Sequence, residues 1–156
     1  PFEESIWIDI VRCYLWLHNE QKTRETLHRL TESIEPDSDL IATISDLLIE
    51  QQSFELAGEY VDKGLKDYPD EGRFYRLHGK LLNAQKDHFK AVAALRTGLK
   101  HDPHDVDCMV EVAQTYFLLK KWSEAIEYYE QAQALRPGDQ TIEEELKSAL
   151  KKKYAK

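Results

Sequence analysis

The chain has 156 residues, 42% hydrophobic and 32% charged, with a net charge of −8. Six glycines and five prolines leave room for long helices, and the composition excludes disordered and fibrous classes. The acidic balance argues against a broad nucleic-acid surface, and no run reaches the ~18 apolar residues that a bilayer span requires.

The first predicted element is "IWIDIVRCYLWL", whose apolar residues point in nearly all directions, as in a helix covered on both sides. The chain begins at Pro1, with neither an initiator Met nor a signal peptide, and reads as a processed product or a fragment of a longer one. A soluble protein is expected, cytoplasmic in preference to periplasmic, with the compartment otherwise unread. Cys13 and Cys108 form no CxxC pattern and read as small buried hydrophobes rather than a disulfide.

Further along, the chain repeats itself. Pro69, Pro103 and Pro137 are evenly spaced, and the same step links Ala57, Ala91 and Ala125, then Val61, Leu95 and Tyr129, then Gly64, Gly98 and Ala132. Earlier in each unit the step aligns Ile41, Tyr75 and Met109, then Ile44, His78 and Val112, then Ser45, Gly79 and Ala113, then Leu48, Leu82 and Tyr116. One step further back lie Trp7, Ile10, Val11, Tyr14, Thr23, Leu27 and Leu30. There the proline, Pro36, arrives one residue late, which implies an extra residue in that turn.

Large residues at helical spacing make one stripe in each helix, and the small residues let a neighbouring helix approach, so each unit is an antiparallel helix pair. The turns "HNEQK", "EQQSF", "AQKDH" and "LKKWS" join the two helices within each pair, and the prolines close the second helices. Asp37, Glu71, Asp105 and Asp139 fall where a side-chain oxygen caps the next helix. In the closing stretch "TIEEELKSALKKKYAK", Ile142, Leu146, Ala149 and Leu150 share one side of a helix, as a terminal capping helix needs.

These columns resemble the tetratricopeptide repeat family over four units, about 4–37, 38–71, 72–105 and 106–139, with a capping helix at about 140–154. The departures are His78, Thr23 and Leu30. The resemblance implies a single all-α domain over 1–156, a right-handed superhelical solenoid with a concave groove lined by the first helices. It also implies a non-catalytic protein-interaction module of scaffold, adaptor or co-chaperone type, whose partner is a peptide or a helix. The alternatives from other classes are a substrate-recognition segment of a multidomain enzyme and homo-oligomeric assembly through the apolar N-terminal helix.

Carried over residue by residue, the family's groove positions are Ile8, Arg12, Leu15 and Trp16, then Asp39, Ala42, Asp46 and Ile49. They continue with Arg73, Arg76, Lys80 and Asn83, then Asp107, Val110, Gln114 and Phe117. Of these, Arg12, Asp46, Arg73, Arg76, Lys80, Asn83, Gln114 and Phe117 are the expected partner-binding residues. The basic third unit suits a peptide with an acidic residue near its centre, flanked by apolar or basic contacts. The plainer reading is a solvated salt-bridge face in which Arg73, Arg76 and Lys80 pair with Asp39, Asp46, Asp107 and Glu111, each exposed pair worth only ~0–1 kcal/mol.

Certain relatives grip the acidic tail of heat-shock chaperones with a clamp of Lys, Asn, Asn, Lys and Arg. The matching residues here are Ile8, Arg12, Thr43, Arg73 and Leu77, or Ala42, Asp46, Leu77, Asp107 and Glu111, and neither set makes that clamp. Neither G-x-S-x-G, a phosphate-binding glycine loop nor HExxH occurs, so no catalytic residue and no cofactor are expected. His101 and His104 flank Pro103 as solvated turn residues rather than a metal pair, and His78 reads as a core histidine. Tyr129 belongs to a core column and Tyr128 lies partly outside it.

Overall fold

A computed structural model describes residues 2–155, with side chains over 4–155. Among the described residues there are helices and turns and no strand. In chain order the helices are α1 (Phe2–Trp16), α2 (Glu20–Ser33), α3 (Ser38–Glu50), α4 (Phe54–Asp67), α5 (Gly72–Ala84), α6 (His88–His101), α7 (Val106–Leu118), α8 (Trp122–Leu135) and α9 (Gln140–Tyr154). From α2 onward the helix starts recur at one fixed interval, at 20, 54, 88 and 122 for the second helices and at 38, 72, 106 and 140 for the others. The turn before α3 holds as many residues as its later counterparts, so the extra residue inferred from Pro36 is absent. The proline has shifted within a turn of constant length. α4, α6 and α8 each stop just short of their proline, because the residue preceding a proline is pushed out of helical conformation.

The turn inside each pair carries a feature that the residue types concealed. His18, Gln52, Lys86 and Lys120, again one repeat apart, all have left-handed backbone, with φ of 52°, 60°, 66° and 59°. Each closes a two-bond helix terminus: His18 N donates to Leu15 O at 2.9 Å and Asn19 N to Tyr14 O at 2.9 Å, and the other three turns repeat the pattern. Asn19 and Asp87 then cap α2 and α6 by accepting from Lys22 N and Lys90 N. At the starts of α3, α7 and α9, Asp37, Asp105 and Asp139 accept from backbone N–H groups as expected. Glu71 does not cap α5; its carboxylate instead accepts from Arg73 Nε at 2.6 Å, an arrangement its longer side chain permits.

The chain packs as two compact units, residues 1–69 and 70–156. In the first, α1 packs on α2 and α3 on α4. Val11, Leu27, Leu30, Ile41, Ile44, Leu48, Ala57 and Val61 are buried there, as is Thr23, whose hydroxyl donates to Asn19 O. Two expectations for α1 are corrected. Ile10 and Cys13 are exposed, along with Ile6 (46% exposed), Trp16 (76%) and Leu17 (62%). The equivalent face of α7, which carries Cys108, Val112 and Thr115, is buried where α6 packs on α7. On α1 that face is open.

The second unit packs α5 on α6, α6 on α7, α7 on α8 and α8 on α9. Leu95, Cys108 and Val112 form one cluster, and Met109, Ala113, Ala125, Ile126, Tyr129 and Ala132 another, which Ile142, Leu146 and Ala149 of α9 complete. The capping stripe read from the sequence therefore packs, with Leu150 against its edge. The small column has a steric cause. A Cβ on Gly79 would lie 2.4 Å from Leu95 Cγ, and one on Gly98 would lie 3.0 Å from Gly72 O, so glycine is what lets α5 and α6 close. His78 is half-buried rather than core.

Candidate functional site

α5 and α7, the first helices of the second unit's two pairs, and the capping helix α9 present one face. Three adjoining clefts run along it and Gln114 lines all three. The first, of about 350 Å³, is walled by Phe117, Leu118, Tyr129, Glu145 and Ser148; the second, of about 360 Å³, by Asp107, Val110, Glu111, Arg136 and Thr141. The third, of about 240 Å³, lies between α5 and α7 and is walled by Lys80, Asn83, Glu111, Thr115 and Leu118. Val110, Gln114, Phe117 and Leu118 lie on this face of α7 because they are spaced at i, i+4, i+7 and i+8. Leu118 is 57% exposed.

Polar contacts tie the three helices together. Asn83 Nδ2 donates to Thr115 Oγ1 at 2.7 Å, and Asn83 Oδ1 lies 2.9 Å from His88 Nδ1, so its amide is held on both sides. Gln114 Nε2 donates to Glu145 Oε1 at 2.8 Å. Phe117 stacks edge-on against Trp122, with ring centroids 4.8 Å apart, which fixes its ring at the cleft wall.

The basic residues are already engaged. Arg76 reaches Glu111 Oε1 at 3.4 Å and Asp105 Oδ2 at 3.3 Å, while Asp105 also caps α7. Burial works against the Arg76 charge, but the carboxylates of Glu111, Asp105 and Asp107 outweigh it and hold the guanidinium protonated. Arg73 is bonded to Glu71, and Asp107 pairs with Arg136 at 2.9 Å. In the first unit, Arg12 is exposed on α1 and pairs with Asp9 at 3.0 Å, and Asp46 is half-buried on α3. Ile8, Leu15 and Ile49, expected at groove positions, are buried.

Two carboxylates that the sequence reading left outside the partner-binding set dominate the chemistry of the face. Glu111 and Glu145 stand one full repeat apart, in one column of α7 and α9. The Oε2 of each is buried and accepts no hydrogen bond. Burial pushes the Glu111 carboxyl up to about 7, even though Arg76 and Lys80 pull the other way. Glu145 lies against Tyr129, whose phenol is held protonated first by burial and then by that carboxylate. The recurrence was visible in the sequence; the burial was not, since it depends on how closely the helices pack.

Among the described residues no three His, Cys, Asp or Glu side chains gather as a metal site requires, and no helix is long and apolar enough to cross a membrane. His101 stacks on Tyr75, with ring centroids 4.9 Å apart.

Residues 82–150 match the family model described as tetratricopeptide repeat. Those residues therefore carry tetratricopeptide repeats, and the same interval between helix starts runs from α2 to α9. The crystal structure of MamA protein is similar at 15% identity and a TM-score of 0.72, over 96% of this chain and 82% of that one. PilF of Pseudomonas aeruginosa is similar at 20% identity and a TM-score of 0.73, over 96% of this chain and 68% of that one. The TPR2B domain of yeast Sti1, in complex with pHsp70, is similar at 15% identity and a TM-score of 0.68, over 73% of this chain and 96% of the domain. No curated protein matches the sequence significantly.

Proposed function

We propose that this protein is a non-catalytic interaction module that holds an extended segment of a partner protein along the face of α5, α7 and α9. The observation that carries this reading is the row of three clefts sharing Gln114, open, partly apolar and walled by residues whose positions are fixed by packing and hydrogen bonds. Lys80, Asn83, Gln114 and Phe117 read the partner; Arg73 and Arg76 chiefly brace the face, since their charges are spent on neighbouring carboxylates. Arg12 on α1 and Asp46 on α3 lie in the other unit and are not counted in this face. Sti1 TPR2B, similar in fold, is in complex with pHsp70, which supports peptide capture on this architecture. The test uses peptides selected on the immobilised chain from a random display library. Gln114→Arg, which fills the shared cleft, is expected to abolish their binding, whereas Phe89→Ala on the exposed side of α6 leaves it unchanged. Equal binding by both variants would contradict the proposal.

A second reading, assembly of copies through α1, is favoured by the open stripe of Ile6, Ile10, Cys13 and Leu17, whose alternating spacing of four and three positions is that of an interdigitating helix seam. It predicts a dimer by light scattering at high concentration that Ile6→Glu returns to monomer. A mass independent of concentration would rule it out.

A further inference from the structure

Resting on the reading of the α5–α7–α9 face as a peptide-binding surface, the geometry points to a partner segment that presents a lysine or arginine side chain between Glu111 and Glu145, with an apolar residue beside it against Phe117 and Leu118. The sign of the charge follows from what each group on the face still lacks. Arg76 is ion-paired with Glu111 and Asp105, although its Nε makes no hydrogen bond, Arg136 pairs with Asp107, and Gln114 spends an amide hydrogen on Glu145, so the cationic charges are already matched by carboxylates. The carboxylates are less well served. Glu111 reaches Arg76 at 3.4 Å with Lys80 close by, and Glu145 has the Gln114 amide with the Tyr129 phenol against it, while the Oε2 of each is buried without a hydrogen-bond donor. A buried carboxylate oxygen without a donor is costly, and a charged donor compensates it best.

The groups are reachable from the clefts. Glu111 walls both the cleft between α5 and α7 and the one over Val110, and Glu145 walls the cleft over Phe117. The last side-chain torsion of a glutamate is broad and two-fold, so a small rotation exchanges its buried oxygen for the one facing the cleft. Because the two carboxylates share a column on neighbouring helices, with Gln114 between them, a single long cationic side chain lying across α7 addresses both. Its aliphatic stem then runs beside exposed Leu118, as such stems do along apolar surface.

The experiment is selection of random displayed peptides on the immobilised full chain, followed by fluorescence anisotropy with the enriched sequence as a labelled synthetic peptide. Enrichment of lysine or arginine at one position, next to leucine, isoleucine or phenylalanine, is the expected result. Replacing that basic residue in the peptide by norleucine should weaken binding at least about tenfold, as should Glu111→Gln with Glu145→Gln in the protein. Circular dichroism checks that the doubly substituted chain keeps its helices, and the norleucine peptide tests the inference on the unaltered protein whatever that variant does. Enriched peptides lacking a basic position, or carrying an acidic one, would overturn this inference and leave the interaction surface standing. No enrichment at all would overturn the proposed function, and this inference with it.

Discussion

Glu111 shows how one side chain carries two demands. It lies on α7 where Arg76 can meet it, yet its own carboxylate is removed from water without a full set of donors. An acid whose folded pKa is raised favours folding most when it is protonated. Its contribution is full below the ordinary glutamate range near 4.5 and is lost as pH rises towards about 7. The groups facing it are Arg76 and Lys80 from α5 and Asp105 from the turn before α7. Glu111→Gln should therefore gain on the native chain by roughly 1–3 kcal/mol between about pH 5 and pH 8 in urea unfolding. A difference that stays constant with pH would show that the carboxyl is not strained. The two cysteines make a second residue-scale contrast. The sequence offered no distinction between them, because each sits amid apolar neighbours, and only the presence or absence of a covering helix separates them. Cys108 is buried against Leu95 O at 3.4 Å and its thiol is pushed up to about 12 by burial, whereas Cys13 lies open. A thiol reagent should titrate one group quickly in the native chain and the second only on unfolding. Two fast thiols would contradict the packing of α7.

At the scale of elements, the repeated columns made the helix pairs legible nearly to the residue, because large, small and proline positions recur together and a recurring set outweighs any single misfit. The left-handed turn residues were not legible. The usual signal at such a position is glycine or asparagine, and here His18, Gln52, Lys86 and Lys120 occupy it. An L-residue loses about 1–2 kcal/mol in that conformation, partly offset by glycine's greater freedom when unfolded. Lys120→Gly should accordingly stabilise the chain by up to about 1 kcal/mol, read as a shift of the urea midpoint at unchanged slope. Destabilisation would mean that the lysine side chain supports the turn. Gly79→Ala tests the small column in the opposite direction. Its new methyl meets Leu95 at the branch point rather than at a flexible tip, so a loss of about 1–3 kcal/mol is expected. A neutral outcome would show that α5 and α6 can separate at little cost.

Across the molecule, the two ends of the chain differ in kind. At one end α9 lays Ile142, Leu146 and Ala149 over α8 and turns charge outward, so the apolar face of the last repeat is covered. At the other, α1 leaves exposed the columns that α7 buries against α6. The sequence signalled this contrast through the all-round apolarity of "IWIDIVRCYLWL" and the one-sided stripe of the closing helix. It did not reveal where partner chemistry concentrates. The expected groove positions lie on α1, α3, α5 and α7, and the arginines that stood out by charge are braced by carboxylates. Oε2 of Glu111 and of Glu145 retain unused hydrogen-bonding capacity, as does Arg76 Nε, and burial rather than charge count distinguishes them.

On the proposed function, the partner is read on the face of α5, α7 and α9. Amide chemical-shift mapping of the labelled chain, titrated with a display-selected peptide, tests this most directly. The shifted resonances should concentrate at Lys80, Asn83, Glu111, Gln114, Phe117, Leu118 and Glu145, while those on the exposed sides of α6 and α8 stay in place. Shifts concentrated at Phe89 on α6 or at Glu127 and Gln131 on α8, with the Gln114 column unmoved, would contradict it.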